Sequence, residues 1–188
     1  MGTSGVETVA DRQRTGVADH SARADAFRTL ADRHLDASYH LAHLILGRRA
    51  EAEDATHDAF VSAWRNWATL RDPSLFEHWF DRILVNTCRN RLRHDSRWNT
   101  QDLSAELEFE ASDAYAATDD RDLLWPALAR LEPDQRVVVA LRFYRDLSIE
   151  QIAARTGVRP GTVKSRLHRA LRVLRTELDR VEPKGTLR

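Results

Sequence analysis

The sequence contains little that could support sulfur chemistry, phosphate-loop binding or membrane insertion. Its one cysteine, Cys88, excludes an internal disulfide and a zinc site built from thiolates, as expected for a chain in a reducing cytoplasm. The 7 glycines form no phosphate-cradling loop. The longest aliphatic run covers only residues 137–141, and residues 1–19 hold no apolar core of signal-peptide length. These absences predict a cytoplasmic chain without membrane insertion.

The net charge is zero, because 29 basic residues balance 29 acidic ones. Taken alone, this balance argues against a general nucleic-acid binder. The charges are nevertheless segregated along the chain. Residues 98–118 carry five acidic residues and no Lys or Arg, whereas residues 151–176 carry seven basic residues and no acidic one. The segregation therefore predicts an acidic connecting segment followed by a basic surface.

Apolar residues recur with helical spacing in two blocks, and no strand-like alternation or hairpin signal appears. We therefore predict an all-α protein of two helical domains joined by an acidic flexible linker. The predicted segments are a disordered N-terminal extension (1–20), a first helical domain (21–97), the linker (98–118), a second helical domain (119–181) and a tail (182–188).

In the first block, a helix over about residues 51–67 has one apolar face and an opposite face with Glu53, Asp54 and Asp58. These acids fit either a contact with a basic partner or a solvated face near the positive end of the helix dipole. We predict that Trp64 and Trp67 belong to the core.

The next helix of this block is predicted to begin near Ser74, with Glu77 three residues on, and it ends in a basic run. That run fits phosphate contacts or a simple complement to the helix dipole. Trp79, near the start of the helix, fits either a core anchor or a platform on which unpaired bases stack.

The second block contains the most specific pattern, a helix-turn-helix. Ser148 and Gln151 form a capping box, and Gly157 lies where the turn between two helices favours positive φ. Small and aliphatic residues, among them Val163, supply the inward contacts. The second helix would place Lys and Arg in the major groove and against phosphates. A solvated face of an ordinary bundle is the alternative, but the turn, the inward residues and the charge all favour DNA binding.

Residues 148–170 resemble region four of sigma factors, most closely at Gly-Thr-Val-Lys-Ser-Arg-Leu (161–167). The first block independently resembles region two. Ala-Glu-Asp (52–54), with Phe60 and Ala-Trp (63–64), is similar to the polymerase clamp-binding segment. Phe76 and Trp79, with Arg-Ile (82–83), Asn86 and Arg93, are similar to the promoter-melting segment. These segments cover most of residues 24–180, and other regions of larger sigma factors have no counterpart, so the chain resembles the extracytoplasmic-function class.

The resemblance implies that the chain binds core RNA polymerase through the beta-prime clamp helices and the beta flap. It also implies recognition of promoter DNA and control by an anti-sigma factor. Three sets of residues carry the implied roles. The polymerase clamp set is Glu53, Asp54 and Asp58. The set for the minus-ten element and the melted strand is Arg71, Asp72, Trp79, Arg82, Asn86, Arg89, Asn90 and Arg93. The set for the minus-thirty-five element is Arg159, Thr162, Lys164, Ser165, His168, Arg169 and Arg172.

Two other functions remain as alternatives. A free-standing helix-turn-helix regulator would need a sensor domain, but the first block shows neither a ligand pocket nor a phospho-acceptor cluster. An enzyme would need a nucleophile elbow, a carboxylate pair or a similar motif, and none stands out. His40 and His43 lack a third ligand at recognisable spacing. We therefore predict no enzymatic activity, no cofactor and no metal site.

Overall fold

The computed structural model describes the backbone of residues 6–98 and 121–181, and the side chains of residues 21–93 and 124–180. These ranges contain helices and turns but no strand, which confirms the all-α prediction. The helices are α1 (Val6–Leu46), α2 (Arg49–Arg65), α3 (Phe76–Trp98), α4 (Arg121–Ala129), α5 (Pro133–Val139), α6 (Ile149–Thr156) and α7 (Pro160–Val181). We refer to α1–α3 as the N-terminal half and to α4–α7 as the C-terminal half.

The start of α1 differs from the sequence prediction. We expected residues 1–20 to be disordered, but the backbone is helical from Val6. The segment directly precedes a long helix, so its turns only extend that helix and need no nucleus of their own. Residues 1–5 lie outside the described residues, as do most of the predicted linker and the predicted tail.

The N-terminal half is organised around the alanine face of α2. Ala52, Ala55, Ala59 and Ala63 are all fully buried. Their small side chains allow α2 to pack closely against α1 and α3, because the side chains at the contact set the distance between helix axes. α1 ends at Leu46, and the following Gly47 adopts a φ of 79°, which a glycine accommodates without strain.

Aromatic rings fill the rest of this core. Phe76 and Phe80 of α3 stack with their ring centroids 5.5 Å apart, and both are buried. Trp67 is buried as predicted. Trp64 is not fully in the core, because it remains 36% exposed at the edge, where its ring contacts Phe27 with centroids 5.2 Å apart.

The C-terminal half begins with α4 and continues through α5, which starts at Pro133 after a capping box formed by Glu132 and Gln135. A π-helical turn (Ala140–Tyr144) then leads toward α6. Where α4 and α5 pack against α7, Ala170 of α7 is fully buried in a cluster with Leu128, Leu131 and Val139.

The two halves share one hydrophobic core, which the sequence did not predict. Leu84 and Val85 of α3 belong to the same buried cluster as Val137, Leu141 and Ile152 of the C-terminal half. α3 packs against α6, and α1 packs against α5. The described parts of the chain therefore form a closed arrangement in which the helix-turn-helix lies against the basic helix of the N-terminal half.

Candidate nucleic-acid interface

The turn of the helix-turn-helix is built by local interactions. Ser148 Oγ accepts a hydrogen bond from the Gln151 backbone N–H at 3.2 Å, and the Gln151 side chain accepts one from the Ser148 N–H at 2.8 Å. Gly157 then ends α6 with φ 70° and ψ 19°. Pro160 begins α7, where its fixed φ suits the first helical turn. These contacts confirm the predicted capping box and turn.

The inward face of the motif is apolar. Ile152, Val163 and Ala170 are fully buried, and Ala153 is nearly so. This packing fixes the rotation of α7 about its axis. As a result, six of the seven predicted minus-thirty-five residues are exposed and Thr162 is half-buried. The exposed residues are Arg159, Lys164, Ser165, His168, Arg169 and Arg172.

Two basic residues of the motif are held by ion pairs: Arg155 by Asp81 of α3 in the N-terminal half, and Arg166 by Asp134 of α5 within the C-terminal half. The side chain of Arg155 is only 7% exposed and that of Arg166 only 22%. Arg155 Nε lies 3.3 Å from Asp81 Oδ2, and Arg166 forms an ion pair with Asp134. The uninterrupted basic character of residues 151–176 therefore does not correspond to a single surface.

α3 presents a second polar row. Arg82, Asn86, Asn90 and Arg93 are exposed at helical spacing, so four of the predicted melted-strand residues share one face of the helix. Arg93 Nη2 donates to Asn90 Oδ1 at 2.6 Å. Such a row combines guanidinium donors for phosphates with side-chain amides for base edges.

Arg89 lies away from this row. Its side chain is 20% exposed, its Nε donates to Asp134 Oδ1 at 3.1 Å, and its Nη1 donates to the Thr156 carbonyl at 3.1 Å. In the closed arrangement, this predicted phosphate contact is therefore bound to the C-terminal half.

The loop before α3 carries Arg71 and Asp72, both exposed. Asp72 Oδ1 accepts a hydrogen bond from the Ser74 N–H at 2.9 Å, and hydrogen bonds from Ser74 lower the pKa of Asp72. Asp72, and not Ser74, is therefore the N-cap of the turn that leads into α3, which begins at Phe76. Trp79 is half-buried with its ring centroid 6.3 Å from that of Trp67, so part of it serves as a core anchor.

The predicted clamp residues lie together on α2, where all three are exposed. Arg91 approaches this surface from α3, with its guanidinium nitrogens 2.5 Å from Asp58 and 3.7 Å from Asp54. Partial burial lowers the pKa of Arg91, but hydrogen bonds and charge from Asp58 and Glu51 outweigh that effect and raise it above its usual range. Arg91, part of the basic run, therefore joins the acidic surface, and Glu53 pairs with Arg49 at 3.0 Å.

Sequence analysis did not identify Asp81, which lies at the centre of the contact between the halves. Its carboxylate is fully buried, 3.0 Å from Arg145 Nη2 and 3.3 Å from Arg155 Nε. Burial raises the pKa of Asp81, against the opposing effect of the two arginines. The available signal was that Asp81 shares helical spacing with the apolar residues Leu84, Val85 and Cys88, which makes it a polar residue on an otherwise apolar face of α3. Its partners, however, lie 64 and 74 residues away along the chain.

Comparisons with known proteins find one known family region in each half of the chain. Residues 30–98 match the family model for sigma-70 region 2, and residues 121–174 match the model for sigma-70 region 4. The RNA polymerase sigma-E factor of Streptomyces coelicolor is 35% identical over 145 residues, which cover 76% of this chain and 80% of that protein. The ECF RNA polymerase sigma factor SigL of Mycobacterium tuberculosis is 33% identical over 84% of this chain and 92% of its own length. The chain belongs to the extracytoplasmic-function sigma factors.

Solved structures of sigma factors have the same fold. The sigma factor RpoE, in complex with the anti-sigma factor NepR from Bartonella quintana, superposes with a TM-score of 0.70 at 26% identity. The match covers 81% of this chain and 96% of RpoE. CnrH, in complex with the cytosolic domain of CnrY, gives a TM-score of 0.58 at 26% identity over 86% of this chain and 97% of its own.

As a sigma factor, this protein binds core RNA polymerase and directs it to promoters for transcription initiation. Sigma factors are generally initiation factors and not enzymes. The N-terminal half matches a sigma region, so the alternative of a sensor domain is wrong.

Two further observations concern the described residues alone. Within them, no group of three or more His, Cys, Asp or Glu side chains could hold a metal ion. None of the helices in residues 6–98 and 121–181 is long and apolar enough to cross a membrane.

Proposed function

We propose that the two polar surfaces of this sigma factor read different promoter elements. The exposed face of α7 reads the minus-thirty-five element, and the exposed row of α3, with the loop before it, binds the melted minus-ten element. The observation that carries this assignment is the orientation of α7. Val163 and Ala170 of α7 are fully buried, so its Lys, Ser, His and Arg side chains at residues 164, 165, 168 and 169 face outward as a major-groove reading helix requires.

The division of labour follows the two halves of the chain. The N-terminal half, predicted over residues 21–97, binds the polymerase clamp and the minus-ten element. The C-terminal half, predicted over residues 119–181, binds the beta flap and the minus-thirty-five element. Residues 98–118 join them as an acidic linker, and the protein acts in the cytoplasm beside RNA polymerase.

Within the α7 surface, Lys164, Ser165, His168 and Arg169 form the central base-reading group. Arg172 lies one helical turn beyond His168 and is better placed for phosphates. Within the α3 surface, Asn86 and Asn90 offer amide groups to base edges, and Arg82 and Arg93 flank them with positive charge.

The clamp contact is the exposed acidic surface of α2. Asp54 has a side chain 72% exposed and makes only a 3.7 Å contact with Arg91, so it remains available to a basic partner. Asp58 is more strongly engaged by Arg91, which orients its carboxylate. We therefore assign the main partner contact to Asp54 and Glu53, with Asp58 contributing to the negative potential.

An anti-sigma factor is the proposed inhibitory partner. An apolar cavity of about 640 Å³ lies between the halves, with walls from α1, α4, the π-helical turn and α7. Leu124, Phe143, Leu171 and Leu178 line it and are exposed. An amphipathic helix would bury these side chains, as in other helix-in-groove complexes. The complex of RpoE with the anti-sigma factor NepR supports this type of partner.

Run-off transcription tests the central proposal. Core polymerase with and without the chain is supplied with a genomic promoter library, and the promoters that depend on the chain are sequenced. We expect transcripts that share both an upstream and a downstream element. Transcripts that require only the downstream element would contradict the assignment of α7 to a second promoter element.

A further inference from the structure

Lysine is scarce in this chain, although basic residues are not. Of the 29 basic residues, 27 are arginines and two are lysines, Lys164 and Lys184. Lys184 lies outside the described residues, so Lys164 is the only lysine among those that the structure describes. It lies on α7, at the centre of the surface proposed to read the minus-thirty-five element. The other basic side chains of that surface are arginines and a histidine.

Lysine and arginine differ in reactivity, although both carry a positive charge. The guanidinium group of arginine stays protonated in proteins and is a poor nucleophile. The amine of lysine becomes a nucleophile when it loses a proton, and acylation of the amine removes its charge. A reagent that acylates amines therefore changes one residue of the proposed reading surface, Lys164, and leaves its arginines cationic.

The structure leaves Lys164 open to such a reagent and removes its main competitor. The side chain of Lys164 is exposed, and no acidic residue occurs in residues 151–176 to offset its charge along the chain. The competing nucleophile would be the thiol of Cys88. That thiol is fully buried, and burial raises its pKa to about 12, so it does not react as a thiolate. Amine chemistry on the described residues is therefore directed to Lys164.

A histidine lies beside this lysine on the helix surface. His168 follows Lys164 by four residues on α7, and its side chain is also exposed. Side chains at this spacing are neighbours, with Cβ atoms about 5–6 Å apart. An imidazole exchanges protons near neutral pH and is the side chain that most often serves as a general base. His168 is therefore placed to accept the proton that the Lys164 ammonium must lose before it attacks an acyl group.

We propose that Lys164 is an acylation site for small activated acyl donors, acyl phosphates or acyl thioesters, and that its acylation switches off recognition of the minus-thirty-five element. The ammonium first loses a proton to solvent through His168. The amine nitrogen then forms a bond to the acyl carbon, and the bond from that carbon to oxygen or sulfur breaks. The leaving group keeps the electron pair and takes the second amine proton, which yields phosphate or a thiol. The consequence for DNA rests on the proposed function of α7.

The first test measures the modification in the full-length chain. The chain is incubated separately with acetyl phosphate and with acetyl-CoA, and peptide mass spectrometry follows the acetylated fraction of each lysine. We expect Lys164 to react faster than Lys184, which has no histidine within four residues in the sequence. His168→Gln should slow the reaction of Lys164 and leave that of Lys184 in the same molecule unchanged.

Each result of this test supports or contradicts the proposal. Acetylation of Lys164 by either donor supports it, and the donor that reacts identifies the source of the acyl group. A lack of acetylation at Lys164 with both donors would overturn it, as would a rate at Lys164 that His168→Gln leaves unchanged. Lys184 serves as the internal control for donor activity in every reaction.

The second test measures promoter binding by the holoenzyme. The chain is acetylated, freed of donor, assembled with core polymerase and titrated against a promoter fragment selected by run-off transcription. Acetylation should weaken binding about tenfold, the scale of one lost base-reading contact. Lys184→Arg should lose binding on acetylation as the wild type does, whereas Lys164→Arg should bind equally before and after treatment. Each variant is compared with its own untreated form, so a different starting affinity of Lys164→Arg does not affect the result.

The same titration separates failure of this proposal from failure of the proposed function. If the untreated holoenzyme does not prefer the promoter over a fragment with a scrambled minus-thirty-five element, the proposed role of α7 itself fails. If that preference is present but acetylation of Lys164 leaves it unchanged, the acylation switch is refuted and the role of α7 stands. Equal sensitivity of Lys164→Arg and Lys184→Arg to the donor would also refute the switch.

Discussion

The turn of the helix-turn-helix gives a sharp test of the reasoning, through substitution of Gly157 by alanine. Gly157 has φ 70°, and a Cβ built on it would meet nothing within 4 Å. The substitution therefore causes no clash, and its effect is confined to the backbone. Placing a residue with a Cβ in the left-handed region costs about 1–2 kcal/mol. The lower entropy of the unfolded chain offsets about 0.4–1 kcal/mol of this. We expect a net loss of about 1 kcal/mol in the free energy of unfolding.

Gly161 provides a matched control within the same motif. A Cβ there also meets nothing within 4 Å, but Gly161 lies in α7 with no positive φ. Gly161→Ala should therefore stabilise the chain by about 0.5–1 kcal/mol, because alanine is the better helix former. Gly157→Asn gives a third point, since asparagine tolerates the left-handed region better than alanine does.

Urea denaturation followed by circular dichroism measures these differences. With a slope of about 2 kcal/mol per M, Gly157→Ala should lower the midpoint by about 0.5 M and leave the slope unchanged. Gly161→Ala should move the midpoint in the opposite direction. The reasoning would be refuted by shifts of the same sign for the two alanine variants, or by a cost for asparagine as large as that for alanine.

Four further predictions concern function and pH. Arg169→Ala should weaken specific promoter binding by about 1–3 kcal/mol in a gel-shift titration, and an equal loss on scrambled DNA would show that it reads no base. Asp54→Lys should strongly reduce co-purification with core polymerase, because like charges at a basic surface cost several kcal/mol, while helicity stays intact. Unchanged co-purification would discard this interface. Replacing the loop of residues 68–74 with that of another family member should change minus-ten preference but not minus-thirty-five preference, as measured on singly mutated promoters with 2-aminopurine reporting opening. The opposite pattern would remove the loop from the minus-ten site. Burial raises the pKa of Asp81, so the folded chain binds its proton more tightly than the unfolded chain does. The stability of the wild type relative to Asp81→Asn should therefore rise as pH falls toward about 4, the pKa of an aspartate in the unfolded chain, and a difference constant with pH would contradict this.

Much of the site could be predicted because helical periodicity and the residues of turns and caps are local features of the sequence. The exposed positions of α7 follow from helical periodicity once Ile152 and Val163 are assigned to the core. Gly157 and the Ser148 capping box mark the turn through backbone and hydrogen-bond preferences that involve only a few neighbouring residues. The exposed row of α3 follows from the same periodicity. In each case, the information lies within about one or two helical turns of the residue concerned.

Local pattern also explains the errors. Disorder was inferred for residues 1–20 from composition, but the segment extends an existing helix and is helical from Val6. Trp64 lies on the apolar side of α2, yet at its edge, where the helices of residues 6–98 and 121–181 leave it 36% exposed. Composition and periodicity predict which face of a helix is apolar, but they do not predict how much of that face a neighbouring helix covers.

The sequence by itself determined that this protein is helical, that it contains a helix-turn-helix and that it resembles a two-region sigma factor, because each of these features is encoded by residues close together in the chain. Only the tertiary structure decided which charged residues are exposed and which bind the other half. Arg89 and Arg155 belong to basic stretches, but they bind groups brought near by packing of the two halves. Asp81 meets Arg145 across 64 residues of chain. A charge pattern along one helix carries no information on such a distant partner, because the shared apolar core, and not the periodicity of either helix, sets their separation.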